Sequence, residues 1–269
     1  MLRVACIQMC SGDDVDANLV RAGAWLKQAA DQGVELALLP ENFAFMSSND
    51  SARRAIAEPE AGSGILDYLS RRAREYGIAV VGGSVPLTHP DSGKIHNGCP
   101  AFSYRGDLLG VYDKIHLFDV DLENESYRES DTIVAGDTPL SVQVQQWNVG
   151  LSICYDIRFP ELYRYYADAD CHVLTIPAAF TVPTGMAHWE TLLRARAIEN
   201  QVYVLAAGQW GEHPGGRKTW GHSMMIDPWG DVMVKQEEGE GVIVADLDMA
   251  FLRRIREALP ALTHRRKMK

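Results

Sequence analysis

Val4-Ala5-Cys6-Ile7-Gln8-Met9 reads as a buried strand, and the residues that follow it decide the architecture. Over residues 16–32 apolar side chains recur at Leu19, Ala22, Leu26, Ala29 and Ala30. Spacings of three and four put them on one helical face, and Gly33 supplies the stop. Leu36-Ala37-Leu38-Leu39-Pro40 is then a second strand. Residues 65–76 repeat the helical pattern with a basic outer face and end at Gly77, before a β-branched run over 78–81 bounded by Gly82-Gly83. The order βαβαβ favours an α/β architecture over a helical bundle or a β-sandwich.

The pattern changes further on. Residues 98–104, the turn Arg105-Gly106-Asp107 and residues 108–117 read as a hairpin, which brings antiparallel pairing into the sheet. Residues 142–147 and 149–154 form a strand pair about Asn148, with a helix over 159–166 opened by Pro160. A further βαβ unit spans 171–176, a helix over 188–201, and 202–207. Residues 224–226 and 232–234 flank the turn Asp227-Pro228-Trp229-Gly230, and 242–247 closes the strands. Residues 249–259 read as a helix, and the basic run Arg265-Arg266-Lys267 as a solvated end. With no Gly-Ser or Pro-rich linker and no repeat of 20–50 residues, the expectation is one domain with mixed sheets over residues 1–259, and a basic tail over 260–269.

A chain of 269 residues buries about 70–75% of the surface it exposes unfolded, enough to fold without staples. At 46% hydrophobic and 23% charged it is not a disordered sequence. Thirty-six acidic against 26 basic residues give a net charge of -10, which argues against nucleic acid or an anionic membrane as partner. Five cysteines with no C-x-x-C pair fit a reducing compartment. The N-terminal residues lack a signal-peptide pattern and no 18-residue apolar run occurs, so the expected location is cytoplasmic. The glycine-rich spots match no phosphate-binding loop, and neither H-E-x-x-H nor clustered Cys/His spacing appears, so no cofactor or metal is expected.

Cys154 closes the apolar run Gly150-Leu151-Ser152-Ile153, and a helix is due by Phe159-Pro160-Glu161. A sulfur near a helix N-terminus is favoured as thiolate, which makes Cys154 either a nucleophile or a small buried hydrophobe. Glu41 directly follows an apolar run, and Lys114 sits inside another. Each either points outward from its strand or joins the cysteine. A carboxylate base, an ammonium for an oxyanion and a thiol, all at strand ends of one sheet, would make an acyl-transfer site.

Three segments carry a resemblance. Leu38-Leu39-Pro40-Glu41-Asn42, Tyr112-Asp113-Lys114-Ile115-His116-Leu117-Phe118 and Ser152-Ile153-Cys154-Tyr155-Asp156-Ile157-Arg158-Phe159-Pro160-Glu161 resemble, in order, the three signature blocks of the nitrilase superfamily of carbon–nitrogen hydrolases. The resemblance runs from Val4 to about Leu259. Within the superfamily three further stretches are similar to the Nit branch of deaminated glutathione amidases. They are Glu125-Ser126-Tyr127-Arg128-Glu129-Ser130, the segment from His188-Trp189-Glu190 into Arg194-Ala195-Arg196, and Gly221-His222-Ser223-Met224 through Gly230. Asp113 departs from the pattern, since relatives often carry a basic residue there; Cys154-Tyr155-Asp156 departs from the Cys-Trp-Glu usual in true nitrilases.

The resemblance implies a four-layer αββα sandwich and a homodimer or higher homo-oligomer. It implies an amidohydrolase cleaving a terminal carboxamide through a thioester, with no cofactor, acting on a small-molecule amide that bears a carboxylate. By the same resemblance Glu41 is the base, Cys154 the nucleophile, Lys114 and the Tyr155 N–H the oxyanion donors, and Glu129 the second glutamate. Arg158, Arg196, Arg217 and His222 are candidate cations for the substrate carboxylate, and Phe180 and Thr181 candidate pocket residues. The alternatives are an omega-amidase acting on 2-oxoglutaramate or 2-oxosuccinamate, a non-catalytic scaffold of the same fold, and a papain-like enzyme needing His222 beside Cys154. The stretches 206–209 and 221–224 favour the deaminated glutathione type over the omega-amidase.

Overall fold

Alternation along the strand Leu2–Gln8 builds two layers at once. Leu2, Val4 and Cys6 pack into the larger apolar cluster, between two sheets, while Ala5 and Ile7 pack into a second cluster under the helices Val15–Asp31 and Gly64–Tyr76. The same division recurs at Leu36 and Leu38 against Ala37, and at Ala79 and Val81 against Val80. The computed structural model describes residues 1–47, 49–122 and 125–266. Lys267 of the basic run lies outside the described residues; Arg265 folds back onto Asp168 at 2.7 Å.

The first sheet has seven strands, in the order Gly241–Leu247, Leu2–Gln8, Leu36–Leu38, Ala79–Val81, Ile95–Phe102, Val85–Thr88, with Leu108–Asp113 also paired to Ile95–Phe102. The second has six, in the order Val232–Gln236, Ser223–Ile226, Tyr203–Gly208, Val173–Ala178, Trp147–Leu151, Ser141–Val144. Each sheet has three parallel central strands and antiparallel flanks. Helices Pro160–Asp168 and Val182–Asn200 cover the second sheet through Leu162, Tyr163, Tyr166, Trp189, Leu193 and Ala197. The result is the expected αββα sandwich of a single α/β domain. Among the described residues no helix is long and apolar enough to cross a membrane.

Local signals explain the helix ends. Asp14 accepts from Ala17 N at 3.0 Å and Ser63 from Leu66 N at 3.2 Å, caps worth about 0.5–2 kcal/mol each. Gly77, at φ 67, closes Gly64–Tyr76 in the left-handed conformation that glycine adopts without strain.

Several boundaries differ from expectation. The hairpin about 148 turns two residues earlier: Trp147 pairs with Val144, and Gln145 takes φ 53 where no glycine or asparagine advertised a turn. The helix expected from 188 begins at Val182, because Thr181 occupies the N-cap and Pro183 suits a first turn. Gly241–Leu247, for which the sequence named no partner, pairs with Leu2–Gln8. The strand over 108–117 stops at Asp113, which leaves Lys114 just beyond it.

Candidate active site

The central parallel strands deliver their C-terminal ends to one rim, where ligands of open α/β sheets collect. Glu41 follows Leu36–Leu38, Cys154 follows Trp147–Leu151, Phe180 and Thr181 follow Val173–Ala178, and Gln209 follows Tyr203–Gly208. Lys114 arrives from the antiparallel strand Leu108–Asp113, its N–H bonded to Asn97 O at 3.0 Å. Glu41, Lys114 and Cys154 are 3%, 2% and 8% exposed, which rules out the outward-pointing alternative for Glu41 and Lys114. They line a cavity of about 430 Å³.

Lys114 Nζ lies 3.0 Å from Glu41 Oε1 and 2.8 Å from Glu129 Oε2, so one ammonium bridges two carboxylates. Glu129 also accepts from Phe118 N at 2.7 Å. Glu41 Oε1 accepts from Asn97 Nδ2 at 3.1 Å, and its Oε2 from Ala179 N at 2.9 Å. Its fourth partner is the Cys154 thiol, which donates to it. The carboxylate is fixed from behind as well: Gln209 Nε2 donates to Glu41 O at 3.0 Å and to Ser11 Oγ at 2.8 Å. In front of it Gly83, at φ 59, lies so close to Pro40 that a Cβ would sit 2.0 Å from the Pro40 carbonyl oxygen.

Electrostatics sets the resting protonation. Burial pushes the Glu41 carboxyl up, but the Lys114 charge and the bonds from Cys154 and Lys114 outweigh it, and the net direction is down. Burial pulls Lys114 down, yet the Glu129 and Glu41 charges carry it well above the usual lysine range. Burial and the Glu41 charge push the Cys154 thiol far up, with only partial relief from Lys114 and Ala179. The thiolate expected from a helix N-terminus is therefore overturned. Cys154 opens a 3₁₀ turn, Cys154–Arg158, and the α-helix starts only at Pro160. The resting site is thiol, carboxylate and ammonium. Cys154 itself sits at φ 49, a left-handed conformation uncommon for a residue with a side chain and frequent at functional sites.

The turn is anchored by a residue that the sequence reading left without a role. Asp156, fully buried, accepts from Ile153 N (2.8 Å), Tyr112 Oη (2.8 Å) and His116 N (3.0 Å), and its Oδ1 lies 2.7 Å from His116 Nδ1. It thereby ties the cysteine's turn to the segment that carries Lys114. Asn97 is the other supporting residue missed; a polar side chain inside an apolar strand was its only signal.

The remaining expectations divide. Tyr155, Arg158, Phe180, Thr181 and Arg217 all line the cavity. Arg158 lies over the Tyr155 and Phe180 rings, at 5.7 and 5.4 Å. Arg196 does not reach it: buried under the turn, it donates to Ile157 O at 2.9 Å and Glu199 Oε1 at 2.7 Å. His222 stacks on Trp220 at 3.9 Å with Nδ1 on Trp220 O, away from the cysteine. Among the described residues no histidine lines the cavity, which removes the papain-like alternative. Asp113 faces His96 at 3.6 Å and leaves Lys114 in register.

Residues 3–257 match the carbon-nitrogen hydrolase family. The chain is a carbon–nitrogen hydrolase. Its relatives place it in the Nit branch of the nitrilase superfamily. The hydrolase is 40% identical over 266 residues to a deaminated glutathione amidase of Synechocystis, covering 97% of each chain. It is 39% identical to omega-amidase NIT2 of Xenopus tropicalis, covering 98% of this chain and 95% of that one. The crystal structure of Saccharomyces cerevisiae Nit3, a member of branch 10 of the superfamily, superposes with a TM-score of 0.87 at 32% identity, covering 96% and 94% of the two chains. The stretches 206–209 and 221–224, expected to separate the two amidase types, do not line the cavity. Gly208 N and Ser223 instead join Gln8 in a buried hydrogen-bond network.

Proposed function

We propose that this hydrolase cleaves a linear amide of a carboxylate-bearing substrate through a thioester at Cys154, in the manner of the deaminated glutathione amidases. The observation that carries the reading is the Glu41 carboxylate held between the Cys154 thiol and the Lys114 ammonium. Glu41, ionised at rest, takes the thiol proton as sulfur attacks the amide carbon. Lys114 and the Tyr155 N–H hold the oxyanion. Glu41 returns the proton to the leaving nitrogen, then activates the water that cleaves the thioester. Glu129 keeps Lys114 charged and in place, and Arg158, with Phe180 and Thr181 beside it, takes the carboxylate of the acyl half. The half-exposed Tyr165, Ile198 and Trp229 support a homo-oligomer built through the outer helical face.

Relatives named for either activity match equally well, so omega-amidase action on 2-oxoglutaramate is the second reading. Acid-quenching wild-type enzyme during turnover of deaminated glutathione and of 2-oxoglutaramate, followed by peptide mass spectrometry, tests both. The expected result is 2-oxo acid release with the acyl mass on the Cys154 peptide, and the larger kcat/KM names the better substrate. Turnover with no adduct there excludes the thioester route, and no amide cleavage at all revives the scaffold.

Glu41 held below the usual carboxylate range is ionised, and the enzyme active, above its depressed pKa; activity falls only as pH drops through it. In kcat/KM against pH the acid limb is expected below about 4.3, with no loss from Lys114 up to about 10.4. A limb between 6 and 7, near the ordinary histidine value of about 6.5, would refute this protonation scheme.

A further inference from the structure

The strand ladders do not set the distance between the nucleophile and Lys114. Lys114 lies one residue past the end of Leu108–Asp113, in the first sheet, and Cys154 opens its turn beyond Trp147–Leu151, in the second. Sheets packed face to face are held by interdigitated apolar side chains, and that attraction is not directional. A reaction that needs sulfur and ammonium at one carbonyl group therefore needs a directed tie between the two segments.

Asp156 supplies one. Its Oδ2 accepts from Ile153 N and Tyr112 Oη, each at 2.8 Å, and its Oδ1 accepts from His116 N at 3.0 Å and meets His116 Nδ1 at 2.7 Å. These bonds bracket both functional residues. Tyr112 and His116 stand two positions before and two after Lys114, while Ile153 and Asp156 enclose Cys154 and Tyr155. A further contact joins the same two segments: the His116 ring stacks at 3.7 Å on Phe159, the residue that closes the Cys154–Arg158 turn.

Burying a carboxylate is expensive, and packing alone would be served by an apolar side chain in its place. Asp156 is fully buried, and among the described residues the one side chain in ion-pair range of it is the His116 ring. What the carboxylate provides is four directed bonds converging on one point, which no apolar residue offers.

We infer that Asp156 is a positioning residue for the reaction: through Tyr112 and His116 it fixes how far Lys114 stands from the Cys154–Tyr155 turn, and so brings the ammonium and the Tyr155 N–H to one oxyanion. This rests on the thioester reading above and adds to it a residue that touches no substrate, for Asp156 does not line the cavity. Its effect falls on the oxyanion-bearing transition states of acylation and deacylation, and so on kcat rather than KM.

The test compares wild type with Asp156→Asn and Tyr112→Phe on whichever of deaminated glutathione and 2-oxoglutaramate wild type cleaves faster. Two further quantities are read beside kcat and KM. One is the thermal melt; the other is the rate at which iodoacetamide alkylates Cys154, a step that uses the sulfur and its base but no oxyanion donor. Whichever way its amide flips, Asp156→Asn puts an NH2 where two donors converge. It is expected to lower kcat by about 10²-fold, the scale of a 1 Å misplacement, with KM and alkylation within about threefold of wild type. Tyr112→Phe is expected to give a smaller loss of the same kind. Added to Asp156→Asn it costs little more, because both act through one bond. It also carries the test alone if Asp156→Asn does not fold. A purely structural role would lower kcat and alkylation together. That outcome overturns the inference, as does a rise in KM at unchanged kcat, or full turnover in the variants. No cleavage of either amide by wild type instead removes the thioester reading on which the inference rests.

Discussion

Cys154→Ala is expected to lower kcat by on the order of 10⁶ while leaving the fold in place. The loss is that large because nucleophile, base and oxyanion donor act as a unit, and without sulfur no acyl-enzyme forms. The fold persists because alanine fills the same left-handed backbone position at the strain cysteine already bears, roughly 1–2 kcal/mol. Glu41 loses one partner yet keeps Asn97, Lys114 and Ala179. Initial rates on the best amide, beside a thermal melt, check both halves of the statement. A variant retaining a hundredth of wild-type turnover would place the nucleophile elsewhere.

Lys114→Met strikes stability and chemistry together. The substitution leaves buried Glu41 and partly buried Glu129 with their shared counter-ion gone. Breaking a buried ionic group by removing one partner costs about 3–5 kcal/mol. The carboxyl groups respond by rising in pKa, because desolvation and mutual repulsion now go unopposed. A carboxyl whose folded pKa is raised favours the native state below its unfolded value and disfavours it as pH climbs. The variant is therefore expected to be weakest at neutral pH and to recover toward wild type near pH 4. Turnover falls twice over, by about 10²–10³ for the missing oxyanion donor and further because Glu41 becomes protonated at neutral pH. Urea unfolding at pH 7 and pH 4 reads the first effect. A neutral-pH difference below about 1 kcal/mol would mean that water already screens the pair.

The sandwich and the site were legible to different depths. Strand–helix alternation over residues 4–83 is a local pattern, because helix and strand periods are written in consecutive side chains. The destination of Gly241–Leu247 was not, since nothing in its own residues says that it pairs with Leu2–Gln8 more than 230 positions away. Glu41 and Cys154 stood out at the ends of apolar runs and Lys114 inside one, and resemblance rather than spacing gave them a common purpose. Asp156 and Asn97 carried no such mark: a carboxylate in a turn and an amide in a strand look ordinary until their partners, 44 and 56 positions distant, are in view. Arg196 and Arg217 looked alike as nearby cations, and only burial against Glu199 separates the structural one from the one that opens on the cavity.

Glu41 and Lys114 belong to one sheet and Cys154 to the other. Neither half-molecule holds a usable set of reacting groups, so chemical competence arises only when the two halves dock. On the proposed mechanism a nascent chain with its secondary structure formed but its halves still apart cleaves no amide, and the thiol reaches its base only in the finished protein.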